Sequence, residues 1–461
     1  MDLRDLTREY ESLVGQVIEV SGWIRNNRDQ KEFGFIELFD GTAFGSIQVV
    51  YAEENLSNFS DVSRFRVGSA LEIKGEVIIT PNAKQPFEIK AVEVILCADS
   101  DEDYPIQPKR HSREFLREKA HLRARTQLFN TVFRVRNELT IAVHKHFQDN
   151  GFINCPAPII TKSDAEGAGE MFGVSVLDPK TLPIDDKGEV DYSKDFFAGR
   201  SNLTVTGQLE AEVYALSFKK TYTFGPTFRA ENSNTSKHAA EFWMIEPEMA
   251  FADNEENMRV AEAFVKGVIS HVLDKCQKEL EWLDNFVEKG LVQKLRDVVE
   301  KDFLRITYTQ AQEILENAKV DFEFPVGWGN DLASEHERYL TDEHFNAPVF
   351  VTDWPKDMKA FYMRLNPDGK TVAGMDLLVP RVGELIGGSQ REERYDHLVA
   401  RMEEMNIPKE DLWWYLDLRK YGGCYHSGFG LGFERLVMYV TGIENIRDAH
   451  PFPRTPRNCE F

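Results

Sequence analysis

Residues 14–98 constrain the fold more strongly than any other part of the chain. Five short runs rich in β-branched residues follow one another there, separated by Gly, Asp and Pro: GQVIEVSGWIR, FGFIELFDG, SIQVVYA, GSALEIKGEVIIT and FEIKAVEVILC. Runs of this length between turn residues are typical of β-strands. Five strands in so short a segment favour a small closed barrel of the OB type.

The rest of the chain predicts a second, larger domain. The polar segment DSDEDYPIQPKR, with its two prolines, follows the last strand of the barrel and marks a linker. We assign residues 1–105 to the barrel domain, 106–125 to a hinge and 126–461 to the second domain. A chain of 461 residues has room for about two or three domains, which agrees with this division.

The second domain has an α+β pattern. Residues 221–252 predict two strands around a polar loop, and APVFVTDWP, AFYMRLN and TVAGMDLLVP predict further strands. Residues 255–345 predict a mainly helical insertion. Strands and helices do not alternate as in βαβ units, and the sequence contains neither a GxGxxG motif nor a Walker P-loop. We therefore expect an antiparallel sheet with flanking helices.

Composition narrows the class of protein. Hydrophobic residues make up 42% of the chain and charged residues 29%, which is usual for a soluble globular protein. No segment approaches the roughly 20 apolar residues that cross a bilayer, and the charged N-terminus lacks the apolar core of a signal peptide. The five cysteines are scattered without a CxxC pair, which indicates reduced thiols and no zinc site. We expect a cytoplasmic protein with no membrane contact.

The formal net charge of −22 would repel a polyanionic partner if the charge were evenly spread. Local patches of charge, however, determine electrostatic steering, so the net charge alone does not exclude such a partner. Residues 108–125 form such a patch, with seven lysines and arginines in PKRHSREFLREKAHLRAR. This segment is either a solvated helix face or a surface for nucleic acid.

Near the C-terminus, HSGFGLGFERL places a glycine at every second position. A period of two is that of a strand, so Gly428, Gly430 and Gly432 would line one face of it. Glycine in a strand often marks the close approach of a ligand or of another backbone. The following FERLVMYV has the apolar spacing of a helix, which places Arg435 at the helix start.

Two further segments carry groups suited to phosphate and metal chemistry. Arg229, at a predicted strand end, can present its planar fork to a phosphate or a carboxylate, and an ion pair with a neighbouring acid is the alternative. Asp376 and Glu384 lie on neighbouring predicted strands, where two carboxylates and several waters could hold Mg²⁺. A pair of exposed acids at a strand edge is the alternative there.

In combination, these motifs resemble those of the class II aminoacyl-tRNA synthetases. FRAE, its loop and the following aromatic residue are similar to motif 2, GFGLGFERL is similar to motif 3, and NGFINCPAPII resembles motif 1, with Pro158 in the proline position. The N-terminal barrel places the chain in the aspartate/asparagine/lysine subgroup. The strings TVTGQLEAE, GGSQREER and RDAHPFPRTPRN are similar to its asparagine-specific members. The resemblance implies an enzyme that activates L-asparagine with ATP and Mg²⁺, transfers it to tRNA(Asn), and forms a homodimer through motif 1.

The resemblance also assigns roles around the nucleotide. The glycines would form the floor under adenine, Phe242 would pack on its other face, and Arg435 would reach the γ-phosphate. Arg229 would bind the α-phosphate, so Arg229 and Arg435 are the implied catalytic groups, while Asp376 and Glu384 would hold Mg²⁺. The implied ATP-binding residues are Arg229, Glu231, His238, Phe242, Glu384, Gly428, Gly430, Gly432 and Arg435.

The implied amino-acid site has to separate asparagine from aspartate by hydrogen-bond polarity, because the two have nearly the same shape. Arg391 would donate to the side-chain oxygen, and Glu212 would accept from the amide and repel a second carboxylate. The implied amino-acid-binding residues are Glu166, Gln208, Glu212, Arg229 and Arg391.

In the barrel, the resemblance implies an anticodon site. Phe35 would stack on a base, and the alternative is a core phenylalanine. The implied anticodon-binding residues are Arg25, Arg28, Phe35 and Gln48.

Three other functions compete with this interpretation. An aspartyl-tRNA synthetase shares the fold, but usually has a lysine where GQLEAE has Ala211 and Glu212. A paralogue that amidates aspartate would lack the barrel. An RNA-binding protein without enzymatic activity would not need the complete set of ATP-site motifs.

Overall fold

The computed structural model describes residues 1–83, 85–163, 171–233 and 235–461. The described chain forms two compact units, residues 1–134 with Phe461 and residues 135–460.

The first unit contains the predicted barrel, which is closed in the strand order β1-β2-β3-β5-β4. Side chains alternate along each strand, so that Ile36 and Leu38 are fully buried inside while Phe35 lies on the outer face. The elements are α1 (Leu3–Leu13), β1 (Val17–Asp29), β2 (Phe33–Phe39), β3 (Ile47–Ala52), α2 (Phe59–Val62), β4 (Ala70–Ile79) and β5 (Phe87–Ala98).

The predicted hinge, residues 106–125, lies in the first unit and contains two short helices, α3 (Arg113–Glu118) and α4 (Ala120–Arg123). The following helix α5 (Gln127–Asp149) spans the division between the units and ends before Asn150-Gly151, a pair of residues that favours the end of a helix.

The second unit is built on a sheet in the order β12-β13-β14-β15-β16-β11-β10-β6. Its strands pair antiparallel except at the two ends, where β6 joins β10 and β12 joins β13 in parallel. This arrangement confirms the predicted α+β class. A separate small sheet contains β7, β8 and β9. The strands of the two sheets are β6 (Ile153–Asn154), β7 (Ile160–Thr161), β8 (Gly173–Val174), β9 (Ser201–Leu203), β10 (Lys220–Phe228), β11 (Glu241–Ala250), β12 (Leu304–Thr307), β13 (Val349–Pro355), β14 (Thr371–Val379), β15 (Gly383–Gln390) and β16 (His426–Gly432).

Helices flank this sheet. They are α6 (Gln208–Phe218), α7 (Asn254–Lys275), α8 (Gln277–Phe286), α9 (Leu291–Glu300), α10 (Tyr308–Glu316), α11 (Ser334–Arg338), α12 (Tyr395–Glu404), α13 (Trp413–Lys420), α14 (Phe433–Thr441) and α15 (Ile446–Ala449). Within the described residues, no helix combines the length and the apolar character needed to cross a membrane.

The region 255–345 is mainly helical, but it is integrated with the sheet. Helix α7 contacts β14, β15 and β16 and buries Phe264, Val265 and Val268 completely. Strand β12, which the sequence analysis did not predict, extends the sheet at one edge. The segment is therefore part of the domain core.

The predicted strand AFYMRLN does not form. Residues 360–366 make only isolated bridges, between Met363 and Arg391 and between Leu365 and Val372. The neighbouring Phe361 and Tyr362 are both buried, in a cluster with α12 and α13. This packing against the helices takes the place of a continuous ladder with a neighbouring strand.

Candidate active site

A cavity of about 350 Å³ opens in the second unit over strands β11, β14, β15 and β16. It brings together most of the residues that the sequence analysis selected. Those that line it are Gln208, Arg229, Glu231, His238, Phe242, Asp376, Glu384, Arg391, Gly430, Gly432 and Arg435. Glu212 and Gly428 lie behind the lining, and Glu166 falls outside the described residues.

The hairpin of β10 and β11 places Arg229 beside Phe242. The main-chain N–H of Arg229 donates to the carbonyl of Ala240 at 2.9 Å, which closes the hairpin directly after the last ladder pair. The guanidinium carbon lies 5.5 Å from the centre of the Phe242 ring, within the range of a cation–π contact. A cation and an aromatic face therefore reach the cavity from one rigid hairpin.

Arg435 and Glu384 meet at another wall of the cavity. Arg435 Nη1 donates to the main-chain oxygen of Glu384 at 2.9 Å and lies 3.5 Å from its Oε2. Burial alone would raise the pKa of Glu384, but the charges of Arg435, Lys359 and Arg229 hold this pKa below its usual range. Glu384 is therefore ionised at neutral pH.

Asp376 and Glu384 converge on one small space. A β-bulge between β14 and β15 lets Glu384 turn toward Asp376. A Cβ added at Gly387 would lie 2.9 Å from Glu384 Oε1 and 3.6 Å from Asp376 Oδ1. Glycine thus leaves room between the two carboxylates for a small cation.

Lys359, which the sequence analysis missed, also reaches this space. Its Nζ donates to Asp376 Oδ2 at 2.6 Å. Burial raises the pKa of Asp376 to about 6 in spite of this lysine. No sequence pattern singles Lys359 out, because it lies in a loop and meets Asp376 only in the folded chain. In the described ranges, no group of three or more His, Cys, Asp or Glu side chains is placed to hold a metal ion.

His238 lies in the β10–β11 loop, where its Nδ1 is 2.5 Å from Thr235 Oγ1. Burial, reinforced by the charge of Arg435, lowers the pKa of His238. The ring is therefore neutral at pH 7.

The glycine strand differs from its predicted role at one position. Gly430 and Gly432 line the cavity, as expected. A Cβ at Gly428, however, would collide with the carboxylate of Glu248, which occupies the space beside it. Gly428 therefore makes room for a buried acid rather than for a ligand.

Glu248 is the partner of Arg391. Both side chains are almost completely buried, and the Arg391 Nη2 and Nε atoms both donate to the Glu248 carboxylate. Arg391 Nη1 donates to Ser389 Oγ at 2.9 Å, so the guanidinium is held in one orientation at the cavity wall. Glu248 was not predicted from the sequence, although two acids in the apolar strand FWMIEPEMA are an unusual pattern that could have revealed it.

The other acid of this strand, Glu246, lines the cavity itself. It accepts from Thr206 Oγ1, from the Gly207 N–H at 2.8 Å and from Thr223 Oγ1 at 2.9 Å. A carboxylate held by three donors is suited to receive a positively charged group.

Glu212 does not contact the cavity as predicted, because all of its carboxylate is used below the surface. It accepts from Tyr415 Oη at 2.8 Å, Arg419 Nη2 at 2.9 Å, His426 Nε2 at 2.8 Å and Gln208 Nε2 at 3.1 Å. Burial alone would raise the pKa of Glu212, but Arg419 and His426 hold it well below its usual range.

The bond to Gln208 has a consequence for the cavity. Because the Gln208 NH₂ donates to Glu212, the side-chain oxygen of Gln208 remains available as an acceptor. Gln208 lines the cavity, so Glu212 determines which end of this amide a ligand meets.

In the barrel, Phe35 lies on the outer face and is half-buried, which excludes the core alternative. Arg28 is its neighbour on β1, and the guanidinium carbon lies 5.7 Å from the ring centre. Gln48 lies on the same face, on β3, and donates to Glu88 Oε2 at 3.0 Å.

Arg25 occupies a different environment from these three. Its guanidinium carbon lies 3.7 Å from the ring centre of buried Phe39, and Nη1 donates to Gln127 Oε1 at 2.7 Å. Burial lowers the pKa of Arg25 to about 10. The structure therefore gives Arg25 a packing role that its implied place among the anticodon-binding residues did not include.

Comparisons with known proteins agree with this geometry. The family described as tRNA synthetases class II (D, K and N) matches residues 112–456, and the OB-fold nucleic acid binding domain matches residues 18–96. The chain is 58% identical to the asparagine–tRNA ligase of Clostridium novyi (strain NT) and 57% identical to that of Alkaliphilus metalliredigens (strain QYMF), each match covering 100% of this chain and 99% of the relative.

Among solved structures, the chain is similar to the asparaginyl-tRNA synthetase of Pyrococcus horikoshii complexed with asparaginyl-adenylate. The TM-score is 0.86 at 32% sequence identity, and the match covers 98% of this chain and 97% of that one.

Proposed function

The chain belongs to the class II tRNA synthetases of the D, K and N group, and on this premise we propose that it ligates L-asparagine to tRNA(Asn). In the first step the carboxylate of asparagine attacks the α-phosphate of ATP, pyrophosphate leaves, and asparaginyl-adenylate forms. In the second step a hydroxyl of the terminal ribose of tRNA takes the aminoacyl group, and AMP leaves.

The cavity supplies what the first step requires. A carboxylate is ionised at pH 7 and needs no general base. Displacement at phosphorus depends on alignment and on neutralising the developing charge. Arg229 would align the asparagine carboxylate and the α-phosphate, Arg435 would bind the far end of the triphosphate, and Phe242 with the strand of Gly430 and Gly432 would hold adenine.

Mg²⁺ fits the space between Asp376 and Glu384. Two carboxylates, completed by water and the phosphates of ATP, are a usual magnesium environment. The bound ion would neutralise phosphate charge. Lys359 would hold the Asp376 carboxylate in place, since Nζ and Oδ2 are 2.6 Å apart.

The amino-acid end of the cavity favours a neutral side chain. Glu246 and the oxygen of Gln208 would bind the ammonium group of the substrate. Arg391 would donate to the side-chain oxygen of asparagine. Its buried contact with Glu248 would offset part of the guanidinium charge, so that Arg391 attracts the second carboxylate of aspartate less strongly. Glu248 would thus share with Glu212 the discrimination against aspartate that the sequence alone assigned to Glu212.

The barrel would bind the anticodon on the outer face that carries Phe35. A base stacked on an aromatic ring contributes roughly 1–3 kcal/mol. Arg28 and Gln48 flank this ring on the neighbouring strands and would contact phosphates or base edges.

Cytoplasmic location is supported by five free cysteines, because such thiols persist in a reducing compartment.

The buried pair of Arg391 and Glu248 at the cavity wall is the observation that carries the choice of asparagine. ATP–pyrophosphate exchange should proceed with L-asparagine and Mg²⁺ and be at least about a hundredfold weaker with L-aspartate, on the scale of discrimination between hydrogen-bonding partners. Preferential exchange with aspartate would instead establish the aspartyl enzyme, and binding of tRNA without any exchange would establish an RNA-binding protein.

We also propose a homodimer. Large apolar side chains are exposed along the segment similar to motif 1, where Ile153, Ile159 and Ile160 are each 43% exposed, and Ile141 on helix α5 is 52% exposed. A surface of this kind usually marks a contact with another protein. Sedimentation at micromolar concentration should show a species of twice 53.0 kDa. A fully active monomer would contradict the proposal.

A further inference from the structure

A hydrogen bond joins the end of strand β11 to the start of helix α14. Strand β16 ends at Gly432, opposite Met244, so the next residue along β11, Trp243, has no strand partner on that side. The Trp243 N–H donates instead to Glu434 Oε2 at 3.0 Å. A side chain of the helix thus replaces the missing ladder partner.

Glu434 is itself held from a third element. Its carboxylate is 1% exposed, and Oε1 accepts from Arg136 Nη2 on helix α5 at 2.8 Å. The Arg136 guanidinium carbon also lies 4.6 Å from the centre of the Phe433 ring, and Nη1 donates to the carbonyl of Ala449 at 3.3 Å. The planar fork of arginine makes these contacts together.

The two residues joined by this bond stand next to two residues of the cavity. Trp243 follows Phe242, and Glu434 precedes Arg435. Phe242 and Arg435 line the cavity, and Glu434 borders it too, although its carboxylate is 1% exposed and is bound to Trp243 and Arg136. The bond between Trp243 and Glu434 therefore fixes the spacing of Phe242 and Arg435. A displacement of about 1 Å at such positions is enough to lower the reaction rate of a bound substrate strongly.

We propose that Glu434 and Arg136 are positioning residues for the nucleotide, which they serve by holding Phe242 and Arg435 at the spacing that ATP requires. This inference rests on the proposed function, because only there do Phe242 and Arg435 contact ATP. Glu246 lies on the same strand as Trp243, but among the described residues neither positioning residue forms a hydrogen bond or an ion pair with Glu246 or Arg391, the side chains of the amino-acid end.

The test is a comparison of KM for ATP with KM for asparagine in exchange assays. Glu434→Gln places an NH₂ donor opposite another donor, either the Trp243 N–H or the Arg136 guanidinium. Arg136→Met removes the positive charge and the planar guanidinium. We expect both to raise KM for ATP about tenfold, on the scale of losing a charged hydrogen bond, with KM for asparagine changed less than about twofold. Arg136→Lys, which keeps the charge, should fall between Arg136→Met and the native protein.

Lys145→Met is the matched control, because Lys145 lies on the same helix with its side chain 61% exposed. An equal rise in both KM values, or an unchanged KM for ATP, would overturn the inference. If Arg136→Met does not fold, the KM values of Glu434→Gln and Arg136→Lys for ATP and asparagine provide the test. Calorimetric measurement of ATP binding without amino acid separates this inference from the proposed ligation of asparagine. Weaker ATP binding in Glu434→Gln would support the positioning role even if the protein failed to use asparagine.

Discussion

Arg229→Lys is expected to lower asparagine-dependent ATP–pyrophosphate exchange by about a hundredfold or more, the scale of losing one preorganised charge-stabilising donor. Lysine keeps the positive charge but has no planar fork, so it cannot hold the substrate carboxylate and the α-phosphate at the same time. The change should fall on kcat, because both contacts matter most while the new bond to phosphorus forms.

The control for this prediction is Arg259→Lys, the same chemical change in an exposed ion pair with Glu256. That variant should keep native exchange activity. Near-native exchange in a well-folded Arg229→Lys protein would show that Arg229 only supports the hairpin of β10 and β11.

Glu212→Gln is expected to reduce exchange with asparagine by about a hundredfold and to raise the relative use of aspartate. The amide would present hydrogens to donors that now bind a carboxylate, among them Arg419 and Tyr415. Breaking a buried ion pair costs about 3–5 kcal/mol, and Gln208 would lose the bond that orients it. The Arg391 guanidinium, 4.0 Å from Glu212, would lose a neighbouring negative charge and so accept aspartate more readily.

A thermal unfolding curve has to accompany this measurement, because part of the cost falls on the stability of the fold. Tyr415→Phe removes one hydroxyl from the same carboxylate and leaves the charge, so it should lower asparagine exchange by less than about tenfold. Glu256→Gln makes the same change as Glu212→Gln at an exposed ion pair and should have no effect. An unchanged ratio of asparagine to aspartate use in folded Glu212→Gln protein would remove Glu212 from the specificity mechanism.

The barrel and the sheet were accessible to sequence reasoning because both rest on local patterns. Runs of β-branched residues between turn residues identified the strands of the barrel, and the period of two in the glycines identified strand β16. Motif order then placed Arg229, Phe242 and Arg435 together. The segment 360–366 shows the limit of local patterns, since its consecutive buried aromatic residues are explained by packing against α12 and α13.

The sequence by itself determined the fold class and most, but not all, of the residues that reach the cavity, because strand period, helix spacing and motif spacing are properties of neighbouring positions. Only the tertiary structure decided what those residues meet. Gly428 makes room for Glu248 from the adjacent strand, and Glu212 turns to Arg419, which lies 207 residues away. Such pairings arise because a buried charge must find a partner wherever the fold brings one close, and sequence separation does not limit that choice.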